Sequence, residues 1–283
     1  MAQFTNQAQL SYNNETVTSN VVVGQLQEVL SATKTAVNGS YRTGETVTYA
    51  VNLINSGTTA VTGLNLTDDL GAYSPAAGTT YVPLSYVDGT VRYFINGVQQ
   101  PAPTVTAGNS LVLAGITVPA GGNATILYDA LVNGYANPTA TGSLTNTVTV
   151  TGGGITPLTA TETVPADTDT RLSITKSIRP VPVVENGILT YTFLIENAGS
   201  TAANATGNQT VTDTFQPVLT GITVTLNGTT LTEGTDYTYN ETTGVFATVP
   251  GRITVPAATF AQGTDGVWVT TPGTATLTVS GTI

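Results

Sequence analysis

The chain has 283 residues, of which only 8% are charged, and its formal net charge is −10. Ordinary globular proteins carry roughly a quarter charged residues, yet 40% of this chain is apolar, so disorder by high charge and low hydrophobicity is not indicated. The absence of His and Cys excludes His-based triads, His-ligated metals, disulfides and thiolate chemistry. The acidic balance argues against nucleic acid or an anionic membrane surface as partner.

The length suggests two domains, each large enough to bury a core. No run of about 18 apolar residues offers a membrane span. The N-terminal MAQFTNQAQ lacks a basic region followed by an apolar core, so it does not read as a secretory signal. Either a leader has been removed, or the protein leaves its cell by another route such as lysis of a producing cell.

Residues 4–23, FTNQAQLSYNNETVTSNVVV, start with an apolar residue and Thr-Asn, followed by an alternating strand, a polar turn and a second strand. Short alternating runs follow: ETVTYAVNLIN (45–55), GLNLTDDL (63–70), VRYFING (91–97), SLVLAGITV (110–118) and NATILYDALVN (123–133). Gly, Asn and Pro punctuate them, as in antiparallel all-β domains. Asp88-Gly89, between two such runs, predicts a hairpin. LTNTVTVTGGGITPLTATETV (144–164) then repeats the pattern of residues 4–23.

Further internal repeats define the organisation. SATKTAV (31–37) returns as SITKSIR (173–179), and TVTYAVNLINSGTTA (46–60) as ILTYTFLIENAGSTA (188–202). LNLTDDL (64–70) returns as QTVTDTF (209–215), and VRYFINGVQQ (91–100) as ITVTLNGTTL (222–231). The expected fold is all-β: two tandem Ig-like β-sandwiches, at 30–166 and 167–283, behind an N-terminal extension at 1–29. The second copy stops where the first continues into its Thr-Asn strand. The N-terminal segment, with Phe4, Asn6, Ala8 and Leu10 in one row, therefore reads as a donor strand for the second domain. Donation to a neighbouring copy is a heterologous, head-to-tail contact, which generates a ring or an open fibre. Folding back within the same chain, or decorating the first domain, are the alternatives.

Strand period two places three polar residues in apolar rows. Lys34 shares a row with Leu30, Ala32 and Ala36, and Lys176 with Leu172, Ile174 and Ile178. Asp68 follows Leu64 and Leu66, Asp213 follows Val211, Asn146 lies between Leu144 and Val148, and Asn6 between Phe4 and Ala8. One Lys, one Asp and one Asn thus point inward per domain, if Asn6 serves the second. Buried charges need partners, and two arrangements satisfy these. One is a Lys–Asp ion pair hydrogen-bonded to Asn. The other is an isopeptide bond, in which a desolvated neutral Lys attacks the Asn carboxamide, the Asp shuttles protons and ammonia leaves. Lys34–Asn146, assisted by Asp68, would then lock the first domain, and Lys176–Asn6, assisted by Asp213, would join neighbouring subunits.

The series TKTA, GETVTYAVNLINSG, LNLTDDL, ITVPAGGNATI and LTNTVTV resembles a large family of Ig-like surface-protein repeats of bacteria and archaea, classed as a domain of unknown function. The Lys/Asp/Asn arrangement is similar to the self-crosslinking domains of Gram-positive pilins. The whole pattern also looks like small two-repeat proteins of anaerobic Firmicutes, associated with spores. The resemblance implies an Ig-like stalk or appendage on a cell or spore surface. The expected function is a structural subunit of an extracellular fibre or pilus-like appendage whose partner is another copy of itself. A monomeric adhesin or stalk spacer is the alternative. No cofactor, metal, nucleic acid or membrane insertion is expected, and no enzymatic activity beyond autocatalytic crosslinking.

Overall fold

The computed structural model describes residues 2–283. Strands dominate it, and the helical element among the described residues is a short 3-10 turn at Ala205–Gly207. The chain divides into two compact units, residues 1–39, 44–133 and 144–164 against residues 40–43, 134–143 and 165–283.

The first unit holds a β-sandwich. One sheet runs in the order Val98–Gln100, Arg92–Ile95, Asn123–Val132, Thr46–Asn55 and Leu30–Ala36. The facing sheet runs Thr104–Ala107, Leu111–Val118, Val61–Asp68, Ser143–Gly152 and Leu158–Pro165. Alternation drives this pairing. Val47, Tyr49, Val51 and Leu53 are buried while the residues between them face outward or lie part-buried, and Leu64, Leu66, Val148 and Val150 do the same opposite them. Period-two side chains of two inner faces interdigitate to form such a core.

The Asp88-Gly89 hairpin does not form. Leu84–Tyr86 and Arg92–Ile95 lie in line, both antiparallel to Asn123–Val132. Val87 N–H donates to Asp129 O at 3.0 Å and Asp129 N–H to Thr90 Oγ1 at 3.1 Å, so the chain stays pinned to its partner on both sides of the turn. The hairpin turn falls instead at Asn96-Gly97, where both residues have positive φ and join Arg92–Ile95 to Val98–Gln100. Two left-handed residues in succession are what a type I′ turn requires.

Residues 2–26, grouped with the first unit, form a separate hairpin. Ala2–Asn6 pairs with Val22–Leu26, and Gln9–Tyr12 with Glu15–Thr18, around Asn13 and Asn14, both at positive φ. Cross-strand partners share a face, so Leu10 stands with Val17 and Asn6 with Val22, while Phe4 covers Gly24. A Cβ on Gly24 would meet the Phe4 ring at 2.3 Å. The apolar side chains of this hairpin, Phe4 at 59%, Leu10 at 63% and Val22 at 55% exposure, have no cover among the described residues.

The second unit repeats the plan with fewer strands. Leu172–Arg179, Ile188–Asn197, Gly273–Thr282, Thr220–Leu226 and Thr229–Thr230 form one sheet, and Thr212–Thr214, Val245–Thr248 and Tyr237–Tyr239 another. Tyr191, Phe193, Phe215, Phe246, Leu277 and Val279 fill the core. The Val61–Asp68 strand of the first unit is flanked on both sides, whereas its counterpart Thr212–Thr214 pairs only with Val245–Thr248. Its other edge has no partner strand among the described residues.

Candidate functional site

In the first unit Lys34, Asp68 and Asn146 share one dry region of the core. Lys34 Nζ lies 2.5 Å from Asp68 Oδ2, and neither side chain is exposed. The Tyr128 hydroxyl donates to that same oxygen, and Leu70 N–H donates to Asp68 Oδ1 at 2.9 Å. Asp68 sits at the end of its strand, and the chain turns through Leu70 and Gly71, both at positive φ. That conformation is sterically costly for a leucine and easy for glycine. Here it turns two successive N–H groups toward the site: Leu70 to Asp68, and Gly71, shared between Asp69 Oδ1 at 2.9 Å and Asn146 Oδ1 at 3.2 Å.

Asn146 enters from the neighbouring strand, two residues before Val148, which pairs with Asp68. Its Oδ1 is satisfied, but its Nδ2 is buried without a hydrogen-bond partner, as is the Tyr49 hydroxyl. Each buried orphan of this kind costs about 1–3 kcal/mol. Lys34 Nζ lies 4.7 Å from the centroid of the Tyr49 ring, which stacks on Tyr128 at 5.7 Å. Burial lowers the Lys34 pKa below its usual value, with Asp68 opposing, so the amine is biased toward its neutral, nucleophilic form. Burial pushes Tyr49 and Tyr128 up, and Asp68 adds to the rise. An amine, a carboxyl and a carboxamide whose oxygen already accepts an N–H are the groups that amide transfer needs.

The second unit presents two of the three groups. Lys176 Nζ pairs with Asp213 Oδ2, with the side chains 40% and 19% exposed. The ammonium lies 4.3 Å from the Tyr191 centroid and 5.4 Å from that of Phe215. The row expected to point into a core is open to solvent, with Leu172 43%, Ile174 53% and Ile178 40% exposed. The physical reason is the facing sheet, which stops at the Asp213 strand and leaves the Lys176 strand uncovered. Tyr49 pairs in register with Tyr128, whereas Tyr191 pairs with Val279, so the hydroxyl on the carboxylate is missing here. Asn6, with Phe4, Ala8 and Leu10, is exposed on the N-terminal hairpin, where it pairs with Val22.

The sequence missed Tyr128 and the Gly71 N–H. Tyr128 follows Ala124 and Ile126 in the buried parity of its strand, and a Tyr in a core row needs a partner for its hydroxyl. That signal was available. The Gly71 donor depends on turn geometry and left no readable trace.

No family model matches the chain, and no curated protein matches it in sequence. Among solved structures, BcpA, the major pilin subunit of Bacillus cereus, is similar over 96% of this chain and 73% of its own, at 13% identity and TM-score 0.36. The pilus backbone RrgB from Streptococcus pneumoniae is similar over 83% of this chain and 53% of its own, at 12% identity and TM-score 0.35. AvmM, which catalyses macrocyclization in alchivemycin A biosynthesis, is similar over 56% of this chain and 96% of its own, at 13% identity and TM-score 0.30. At TM-scores this low the likenesses carry no functional argument, and they span proteins of unrelated activity. No helix among the described residues is long and apolar enough to cross a membrane.

Proposed function

We propose that this chain is a structural subunit of an extracellular fibre or pilus-like appendage on a cell or spore surface, assembled head-to-tail from copies of itself. The N-terminal hairpin of one subunit docks beside the Asp213 strand of the next and completes its second sandwich. One observation carries this reading: a hairpin with exposed apolar side chains repeats the residue order of the Asn146 hairpin, whose place beside Asp213 is unfilled among the described residues. Burying each of Phe4, Leu10, Val17 and Val22 contributes about 1.5–3 kcal/mol, and the unpaired edge of Thr212–Thr214 gains its hydrogen bonds.

Docking also delivers Asn6 to Lys176 and Asp213. In both sandwiches the amine then attacks the carboxamide carbon, the Lys–Asn amide forms and ammonia leaves. Lys34–Asn146 is the bond within a subunit and Lys176–Asn6 the bond between subunits, with Asp68 and Asp213 carrying the protons. The chain acts on itself alone and turns over no external substrate. A covalent lock makes rupture require breaking an amide rather than separating strands.

The test is to boil purified protein in SDS, resolve it on a gel and weigh it intact. The expected result is an SDS-stable ladder that Asn6→Ala and Lys176→Ala abolish, with one ammonia lost per bond. A single band at the full calculated mass sinks both crosslinks. Removing residues 1–20 tests strand donation separately: the truncated chain should sediment as a folded monomer. If it still assembles, donation fails; if it stays monomeric yet keeps binding a surface ligand, the protein is an adhesin or spacer.

A further inference from the structure

The Asn146 amide nitrogen is the leaving group of the proposed first-sandwich bond, and it is buried without a partner. A nitrogen cannot leave such a site as an amide anion, so something must hand it a proton. Asp68 cannot readily do so alone. Its Oδ2 is engaged by Lys34, and its Oδ1 is held by Leu70 N–H. The Tyr128 hydroxyl is the remaining proton carrier on the carboxylate, and it shares Oδ2 with Lys34. Asn146 enters the same buried site from the strand beside Asp68, so the hydroxyl and the amide share the surroundings of one carboxylate.

Resting on the self-crosslinking reading of the first sandwich, we propose that the Tyr128 hydroxyl relays a proton from Asp68 to the departing nitrogen of Asn146. Lys34 first gives one proton to Asp68 Oδ2 and becomes a neutral amine. Its lone pair then forms the Nζ–Cγ bond, and the electron pair of the Asn146 carbonyl moves onto Oδ1, where Gly71 N–H meets it. Protonated Oδ2 now donates to the Tyr128 oxygen, and Tyr128 passes its own proton to Nδ2. The Cγ–Nδ2 bond breaks as the carbonyl re-forms, and neutral ammonia departs. The second proton released by Nζ returns to Asp68, so the ion pair ends as a neutral acid beside a neutral amide. Five protons on the two nitrogens become one on the amide, three on ammonia and one on Asp68, and charge is conserved.

Val279 in place of Tyr128 removes this relay from the second sandwich. The bond between subunits is therefore the slower of the two, even once docking has made its site dry.

The test follows ammonia loss by intact mass as the full chain folds from newly synthesised, denatured material still at its full calculated mass, unmodified and as Tyr128→Phe. General acid catalysis contributes roughly 10²–10⁴-fold, so Tyr128→Phe should slow the first bond at least about 100-fold. Its rate should also fall with rising pH, because water must now supply the proton, while the unmodified rate stays flat between about pH 6 and 8. A structural role alone lowers the rate without changing this slope. Tyr93→Phe, which removes a buried hydroxyl bonded to Thr117 O elsewhere in the sandwich, should leave the rate within about two-fold. Equal rates and pH profiles for Tyr128→Phe and the unmodified chain overturn the relay and leave the crosslink standing. Should Tyr128→Phe not fold, a proton inventory of the unmodified chain in H₂O–D₂O mixtures decides. A bowed plot, from two protons moving together, supports the relay, and a linear one overturns it. If the unmodified chain loses no ammonia, the crosslink and the relay fall together.

Discussion

The two sandwiches carry the same Lys–Asp pair in two solvent regimes. Lys34 and Asp68 have no exposed side-chain surface, while Lys176 and Asp213 remain 40% and 19% exposed. The difference is not in the pairs, since both use Oδ2 of an Asp on the facing sheet. It lies in the neighbours. The first Asp strand is flanked by the Asn146 strand, and the second is flanked on that side by nothing among the described residues. A single hairpin therefore separates a buried arrangement from a solvent-exposed ion pair.

Stability should show this contrast most strongly through the carboxylates. Asp68→Ala leaves the buried Lys34 amine and the Tyr128 hydroxyl without their acceptor and should cost about 3–5 kcal/mol. Asp213→Ala in the undocked chain should cost well under about 1 kcal/mol, because water screens Lys176. Urea unfolding followed by probes specific to each unit reads both values. Similar losses in the two units would erase the distinction.

A smaller effect separates the units by pH. In Asn146→Ala, where no first-sandwich bond can form, Lys34 keeps a folded pKa below its unfolded one. Between these two values the unfolded chain binds more protons, so stability rises with pH, by up to about 1.4 kcal/mol per unit. Above about pH 10 the sign reverses, because Tyr49 and Tyr128 hold their protons in the folded state and lose them on unfolding. The unmodified chain should lack the rising limb once Lys34 is an amide, and finding that limb intact would argue against the bond.

The smallest effect concerns Tyr49. Its hydroxyl has no partner, so Tyr49→Phe should be neutral or stabilising by up to about 1 kcal/mol. A loss of more than that in thermal unfolding would mean the hydroxyl is satisfied, by water or by Asn146.

Much of the first site was legible because a strand alternates with period two whatever surrounds it. Lys34, Asp68 and Asn146 each interrupt an apolar row, and all three are buried. Tyr49 and Tyr191 lie in the buried rows of their alternating strands as well. Parity failed at Leu172, Ile174 and Ile178, which alternate correctly yet face solvent, because it defines a face and not what covers it. Turn chemistry misled at Asp88-Gly89, where bonds to the Tyr128 strand outweighed the local hairpin preference.

The sequence alone determined the duplication, the strand rows and the likeness of residues 4–23 to the Asn146 hairpin, because these are local patterns written in residue order. Tertiary structure alone decided that Tyr128 shares an oxygen with Lys34, that the Asn146 nitrogen is unpartnered, and that the second Lys–Asp pair is wet. Those facts depend on which groups from distant strands meet across the sandwich, and on whether a strand lies over them to exclude water.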